Sequence, residues 1–132
     1  MTGILLDTNA LLWLVNDPGR HARPALDVLE NPANDLFVSA ASGWEVAIKT
    51  HLGRLDASPL LSAWNDTLAT MAATDLPIEA ADAVTAGLLN WSHRDPFDRM
   101  IVAQATRRGL SIATSDKTMH DGTLTPVVDI RR

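Results

Sequence analysis

Ile4-Leu5-Leu6 is a short, continuous apolar run that ends on Asp7. No polar residue alternates within it, which is the pattern of a strand buried on both faces. Such a strand requires a covering layer on each side of its sheet, and the rest of the sequence supplies one. Helices are predicted over 9–15, 24–30, from Ser39 to His51 or Leu52 with a stop at Gly53, from Ser58-Pro59 to about Met71, over 78–89, and from Asp95-Pro96 to Arg108 with a stop at Gly109. Further strands are predicted at 36–38, around 74–76, at 110–114 and at 126–130. Asn16-Asp17-Pro18-Gly19 and Asn31-Pro32-Ala33-Asn34 read as turns between them. The order β-α-α-β-α-α-β-α-α-β-(α)-β predicts an α/β fold with a mostly parallel central sheet and helices on both faces. With 132 residues and 46% hydrophobic side chains, residues 1–132 suffice for one compact domain with a real core.

Asp7, Glu45, Asp98 and Asp116 each fall at a strand end or a strand–helix junction. In an open parallel sheet those junctions gather on one edge. Two carboxylates ~4 Å apart cost roughly 1 kcal/mol in water and nearer 4 at an effective dielectric of about 20, so a cation is the natural occupant. An all-oxygen site of this kind suits Mg²⁺, with Mn²⁺ as a substitute. Each acid also has a plainer reading. Asp7 can cap the helix after it, with Thr8 and Asn9 sharing that task or orienting Asp7. Ser42-x-x-Glu45 matches a capping box, whereas a cap at Ser39 would leave Glu45 free to face the cleft. Asp95 is the natural N-cap before Pro96, which leaves Asp98 in the first turn at the positive end of the helix dipole. Asp116 follows Thr114-Ser115 as an ordinary turn acid would.

Other chemistries find less support. No cysteine is present, which excludes disulfides and thiolate metal sites and fits a reducing cytoplasm. His21, His51, His93 and His120 lack zinc-ligand spacing, and Ser39, Ser42 and Ser115 lack triad partners. The start of the chain reads as neither a signal peptide nor an anchor, and the longest apolar run is too short to cross a bilayer, so no membrane association is expected. A formal charge of −5 argues against loose, charge-driven nucleic-acid binding, but Arg20, Arg23, Arg54, Arg94, Arg99, Arg107 and Arg108 are placed to serve phosphates locally. The bland reading of any one of them is solvated surface. The four tryptophans are expected in the core, and Asp17, Asp27, Asp35, Asp56, Asp66, Asp75, Asp82, Asp121 and Asp129 on the solvated surface.

Four stretches together resemble the PIN-domain ribonucleases, specifically VapC-type toxins of type II toxin–antitoxin systems. They are Leu5-Leu6-Asp7-Thr8-Asn9-Ala10-Leu11-Leu12-Trp13, the segment from Ser39 to Lys49 containing Ser42-Gly43-Trp44-Glu45, the segment His93-Arg94-Asp95-Pro96-Phe97-Asp98-Arg99 with Ile101 to Ala105, and Thr114-Ser115-Asp116. Each is weak alone; four in this order are specific. The resemblance implies a PIN-like three-layer α/β/α fold and an acidic quartet of Asp7, Glu45, Asp98 and Asp116 as catalytic and metal-binding residues. Asp7 and Asp98 would be the nearest ligands, with Glu45 and Asp116 acting partly through water. Thr8, Asn9, Ser39, Ser42, Asp95, Arg99 and Ser115 would support them. It further implies Mg²⁺-dependent RNA hydrolysis by an activated water, a cytoplasmic homodimer, and silencing by a cognate antitoxin. Two departures stand out: no proline lies near Asn90, and Asp82 stands where a histidine is common.

Two other functions compete. A catalytically silent PIN-fold module would bind a partner without hydrolysis. A phosphatase-like enzyme would need a second acid two residues after the first, where this chain has Asn9, and a late lysine, for which only Lys117 is near.

Overall fold

The computed structural model describes residues 2–16 and 23–131. The predicted turn at 16–19, Arg20 and His21 thus lie wholly or largely outside the described residues. Five strands form the sheet: β1 (Gly3–Leu6), β2 (Asp35–Ser39), β3 (Ala73–Leu76), β4 (Ser111–Thr114) and β5 (Val127–Asp129). All neighbouring pairs are parallel, in the order β3-β2-β1-β4-β5. The helices are α1 (Thr8–Asn16), α2 (Arg23–Glu30), α3 (Ala40–His51), α4 (Ser58–Ser62), α5 (Trp64–Thr70), α6 (Ala80–Leu88), α7 (Pro96–Arg108) and α8 (Lys117–Gly122).

The apolar run that begins the chain is buried on both sides, as its composition requires. Ile4 and Leu6 point into one core with Leu36, Val38 and Ala113, covered by Leu11 and Trp13 of α1, Leu26 and Leu29 of α2, and Leu68 of α5. Leu5 points the other way, with Ile112, into a core closed by Ile101, Val102 and Ala105 of α7 and Met119 of α8. A third cluster, Val46, Ala57 and Leu60, lies under α3. Fully burying each of these large side chains contributes about 1.5–3 kcal/mol, which fixes the strand order and the sheet's two helical layers.

Two elements depart from expectation. The helix predicted from Ser58 to Met71 is broken at Ala63, although no glycine or proline lies there. The break lets Leu60 serve the cluster under α3 while Leu68 serves the sheet core, and it lays the Trp64 indole against Gly43, where a Cβ would meet the ring at 3.4 Å. Second, α6 starts at Ala80 rather than Ile78, because Glu79 caps it and the Glu79 N–H donates to Asp82 Oδ2 at 2.9 Å.

The topology matters for the site. From β1 the chain moves outward to β2 and β3, then returns to place β4 on the opposite side of β1. The loops after β1 and β4 therefore diverge to opposite faces of the sheet and leave a crevice at the carboxyl ends of these strands.

Candidate active site

Asp7 is the residue immediately after β1 and is 3% exposed. Its backbone N–H donates to the Ala113 carbonyl at 3.0 Å, which locks it to β4. One carboxylate oxygen accepts from Ala10 N–H at 2.7 Å and the other from the Thr114 hydroxyl at 2.5 Å. Asp7 thus does act at the start of α1, as the plainer reading has it, yet it also lines the crevice. Burial pushes its pKa up to about 6 against the pull of these hydrogen bonds, and the nearby charges of Asp98 and Asp116 push the same way.

Ser39, not Ser42, caps α3: its hydroxyl accepts from Ala41 N–H at 3.0 Å. That settles the competition over the helix start and frees Glu45. The α3 face carrying Ala41, Ser42, Glu45 and Val46 turns inward. Glu45, 5% exposed, accepts from the Thr8 hydroxyl at 2.6 Å, and Lys49 Nζ lies 2.6 Å from its other oxygen. The Ser42 hydroxyl sits 3.0 Å from Thr8 Oγ1 and holds that residue in place.

Asp95 caps α7, accepting from Phe97 N–H at 2.9 Å and Asp98 N–H at 3.2 Å. Asp98, in the first turn, is bonded to His93 Nε2 at 2.7 Å. Burial raises the Asp98 pKa, the His93 hydrogen bond opposes it, and the charges of Asp95 and Glu45 add to the rise. Asp116 caps α8 by accepting from Thr118 N–H at 2.8 Å, while its own N–H donates to Thr114 Oγ1 at 3.0 Å. Thr114 therefore joins Asp7 to Asp116.

All four predicted acids meet in one cleft of about 230 Å³ lined by Asp7, Thr8, Asn9, Glu45, Lys49, His93, Asp95, Asp98 and Asp116. Ser39 and Ser42 stand behind its wall, fully buried, and Ser115 lies in the loop between Thr114 and Asp116 without lining it. Donor atoms of His93, Asp95 and Asp98 come within 4.8 Å of one another, a spacing one ion can bridge. The donor set fits a divalent cation: carboxylates crowd together, and the charged groups nearest to buried Asp7, which are Asp98 and Asp116, are of like sign and offer it no counter-charge.

Two residues of the cleft, Lys49 and His93, and Thr114 behind it escape sequence reasoning. Lys49 stands at the i+4 position from Glu45, a spacing that does signal the pair. His93 and Thr114 carry no comparable local signal. His93 is placed by Arg99, whose five N–H donors all go to carbonyls of the preceding loop: Ala86 at 2.9 Å, Gly87 at 3.4, Leu89 at 2.9, Trp91 at 2.8 and His93 at 2.9. Arg99 supports the site by shaping this loop and has no donor left for phosphate.

Further expectations need correction. Arg107 and Arg108 are not solvated phosphate binders: both bind Asp82, and Arg108 does so with two hydrogen bonds, 2.7 and 3.0 Å, plus one of 2.8 Å to Glu79. Asp82 is accordingly 0% exposed rather than on the surface, and these guanidinium groups hold its carboxyl well below the usual range. Arg23 pairs with Asp27 at 3.1 Å. Trp44 is not core. It is 60% exposed on the outer side of α3, edge-on to Phe97 at a centroid distance of 5.1 Å.

Residues 4–122 match the PIN domain family. Over 122 residues the chain is 35% identical to Ribonuclease VapC22 of Mycobacterium tuberculosis (strain ATCC 25618 / H37Rv), covering 91% of this chain and 92% of that protein. Among solved structures, VapBC2 from Rickettsia felis bound to a DNA fragment from its promoter superposes with a TM-score of 0.72 at 12% identity, covering 98% of this chain and 99% of that one. DNA-bound VapBC from Salmonella typhimurium gives 0.70 at 18% identity, with 97% and 99% covered. The structural likenesses carry the fold, and the sequence match carries the kinship: the chain belongs to the PIN domain family, among its VapC-type members.

Proposed function

We propose that the chain is a Mg²⁺-dependent endoribonuclease, the toxin of a type II toxin–antitoxin pair, with Asp7, Glu45, Asp98 and Asp116 as its catalytic and metal-holding residues. The convergence of these acids at the crevice between β1 and β4 carries the reading. Asp7 and Asp98 would hold the ion directly. Glu45 and Asp116, each already engaged by hydrogen bonds, would complete the shell in part through water. A bound Mg²⁺ or Mn²⁺ supplies Lewis acidity toward a phosphoryl oxygen and toward an attacking water.

The chain's own residues perform the positioning. Thr114 and Ala10 fix both oxygens of Asp7, Thr8 and Lys49 fix Glu45, and His93 fixes Asp98, so each carboxylate is preorganised before substrate arrives. VapBC complexes among the structural neighbours support a cognate antitoxin as partner. A homodimer is the assembly that the family resemblance implies. Among the described residues no helix is long and apolar enough to cross a membrane.

Inducible expression of the parent and of Asp7→Asn in a bacterium tests this directly. Growth arrest with discrete RNA fragments is expected for the parent alone. In vitro, chelator stops cleavage and Mg²⁺ or Mn²⁺ restores it. Undiminished cleavage by Asp7→Asn and Asp98→Asn, or in chelator, would refute the assignment.

A further inference from the structure

RNA cannot approach five clustered carboxylates without positive charge near the reacting phosphate, yet the three arginines of α7 are engaged elsewhere, and exposed Arg94, between His93 and Asp95 in the chain, does not line the cleft. Arg99 spends every N–H on carbonyls, and Arg107 and Arg108 are bound to Asp82 on the far part of α7. Among the described residues, Lys49 is the one lysine or arginine that lines the cleft. We propose that Lys49 is the residue that holds a phosphate of the RNA strand beside the acids, an inference that rests on the ribonuclease reading above.

Its surroundings suit that task. Nζ rests 2.6 Å from Glu45 Oε2, while the side chain stays 45% exposed, so the ammonium touches the buried acid from the solvent side. Glu45 reaches inward to Thr8 with its other oxygen, which leaves Lys49 on the outer rim where a polyanion arrives. The lysine stem has enough rotatable bonds to swing from a carboxylate to a phosphate without moving α3. It carries two consequences. While paired with Glu45, Lys49 competes with a divalent cation for that carboxylate. With a divalent cation held at the acids, Glu45 would no longer need the ammonium, and Lys49 would be free to meet phosphate oxygens. Lys49 is therefore a substrate-positioning residue that also weakens metal affinity in the absence of RNA.

Lys49→Met and Lys49→Arg provide the test. In the absence of RNA, the Met variant is expected to bind Mn²⁺ roughly 3- to 10-fold more tightly by paramagnetic resonance titration, because a competing charge is gone. For a single-stranded oligoribonucleotide its kcat/KM is expected to fall about 10- to 100-fold, the scale of one charged hydrogen bond. The slope of log kcat/KM against log salt should shrink by about 0.7, the signature of one lost phosphate contact on a single strand. Lys49→Arg should restore the slope. A merely structural role would lower the melting temperature and kcat but leave the salt slope at the parent value; that result overturns the proposal while the parent's RNA cleavage stands. Failure of the parent itself to cleave RNA in Mn²⁺ or Mg²⁺ would instead overturn the reading beneath it.

Discussion

Replacing Asp7 by Asn should make the metal-free protein more stable while destroying its activity. Asp7 is buried, and its pKa rises from 3.8 to about 6. At about 1.4 kcal/mol per pH unit, the ionised carboxylate costs the folded state roughly 3 kcal/mol at neutral pH. The sign follows from which form burial disfavours. Above pH 6 the full cost is present. As pH falls through 6 the folded protein takes up a proton that the unfolded chain does not yet bind, so stability rises, and the cost is gone near pH 4. Asn carries no charge at any pH. It keeps an oxygen for Ala10 N–H, and its amide can donate to Thr114 Oγ1 in place of the hydrogen bond it loses. Allowing about 1 kcal/mol for that exchange, Asp7→Asn should gain roughly 1–3 kcal/mol at pH 7.5 in chelator. For a chain of this size that is a rise of about 4–12 °C in melting temperature. Melts of both proteins at pH 7.5, 6 and 4.5 check it, since every other acid is common to the pair. The gap should close toward pH 4.5. It should also narrow in millimolar Mg²⁺ or Mn²⁺, because ligand binding stabilises the parent and not the variant. A variant no more stable than the parent at pH 7.5 in chelator, or a gap indifferent to pH, would refute the view of Asp7 as a strained carboxylate awaiting a cation.

Three stability changes follow from contacts outside the acids. Asp82→Ala leaves Arg107 and Arg108 without their shared partner, and urea unfolding should register a loss of roughly 2–4 kcal/mol. Because its carboxyl is held below the usual range, Asp82 adds stability above about pH 4 that disappears only at strongly acid pH. Arg99→Leu strands five loop carbonyls, and should cost about 2–4 kcal/mol and broaden the His93 signals in nuclear magnetic resonance. Gly122→Ala drives a Cβ to within 2.1 Å of the Trp91 indole and should cost about 1–3 kcal/mol in thermal melts, with Trp91 fluorescence shifted to the red.

What the sequence disclosed follows the range of the physics. Asp7 and Asp116 follow strands whose apolar runs are local, and in a parallel sheet strand ends are also ligand positions, so their meeting was legible. Asp98 was legible through Pro96, which assigns Asp95 to the cap. Glu45 hung on which serine caps α3; the sequence carries both patterns, and the fold has Ser39 as the cap while Glu45 is held by Thr8, thirty-seven residues earlier in the chain, and by Lys49. The errors share a cause. Asp82 sits in an alanine-rich helix and looks solvated, because its partners lie twenty-five and twenty-six residues away on α7. Arg99 looks like a phosphate ligand because nothing local reveals that the loop before it will fold around the guanidinium. The break at Ala63 has no breaker residue; it is imposed by two separate cores that draw Leu60 and Leu68 apart.

The acidity of the chain, which by itself opposes an RNA substrate, resides almost wholly in the site. Five carboxylates and Lys49 line the cleft and contribute −4 of the formal −5, so the remainder of the protein is close to neutral. Repulsion of a polyanion is thus local and is removed when divalent charge enters the cleft, whereas repulsion spread over the surface would respond only to salt. RNA binding should then be switched by metal, not merely its cleavage. A fluorescent oligoribonucleotide titrated in chelator is expected to bind at least about 10-fold more weakly than in Ca²⁺ at the same ionic strength, in keeping with the loss of one or more phosphate contacts. The increase should track Ca²⁺ binding and vanish in Asp98→Asn. Equal affinity in chelator and in Ca²⁺ would mean that RNA is gripped by a surface remote from the acids, and the cleft would lose its claim to be the substrate site.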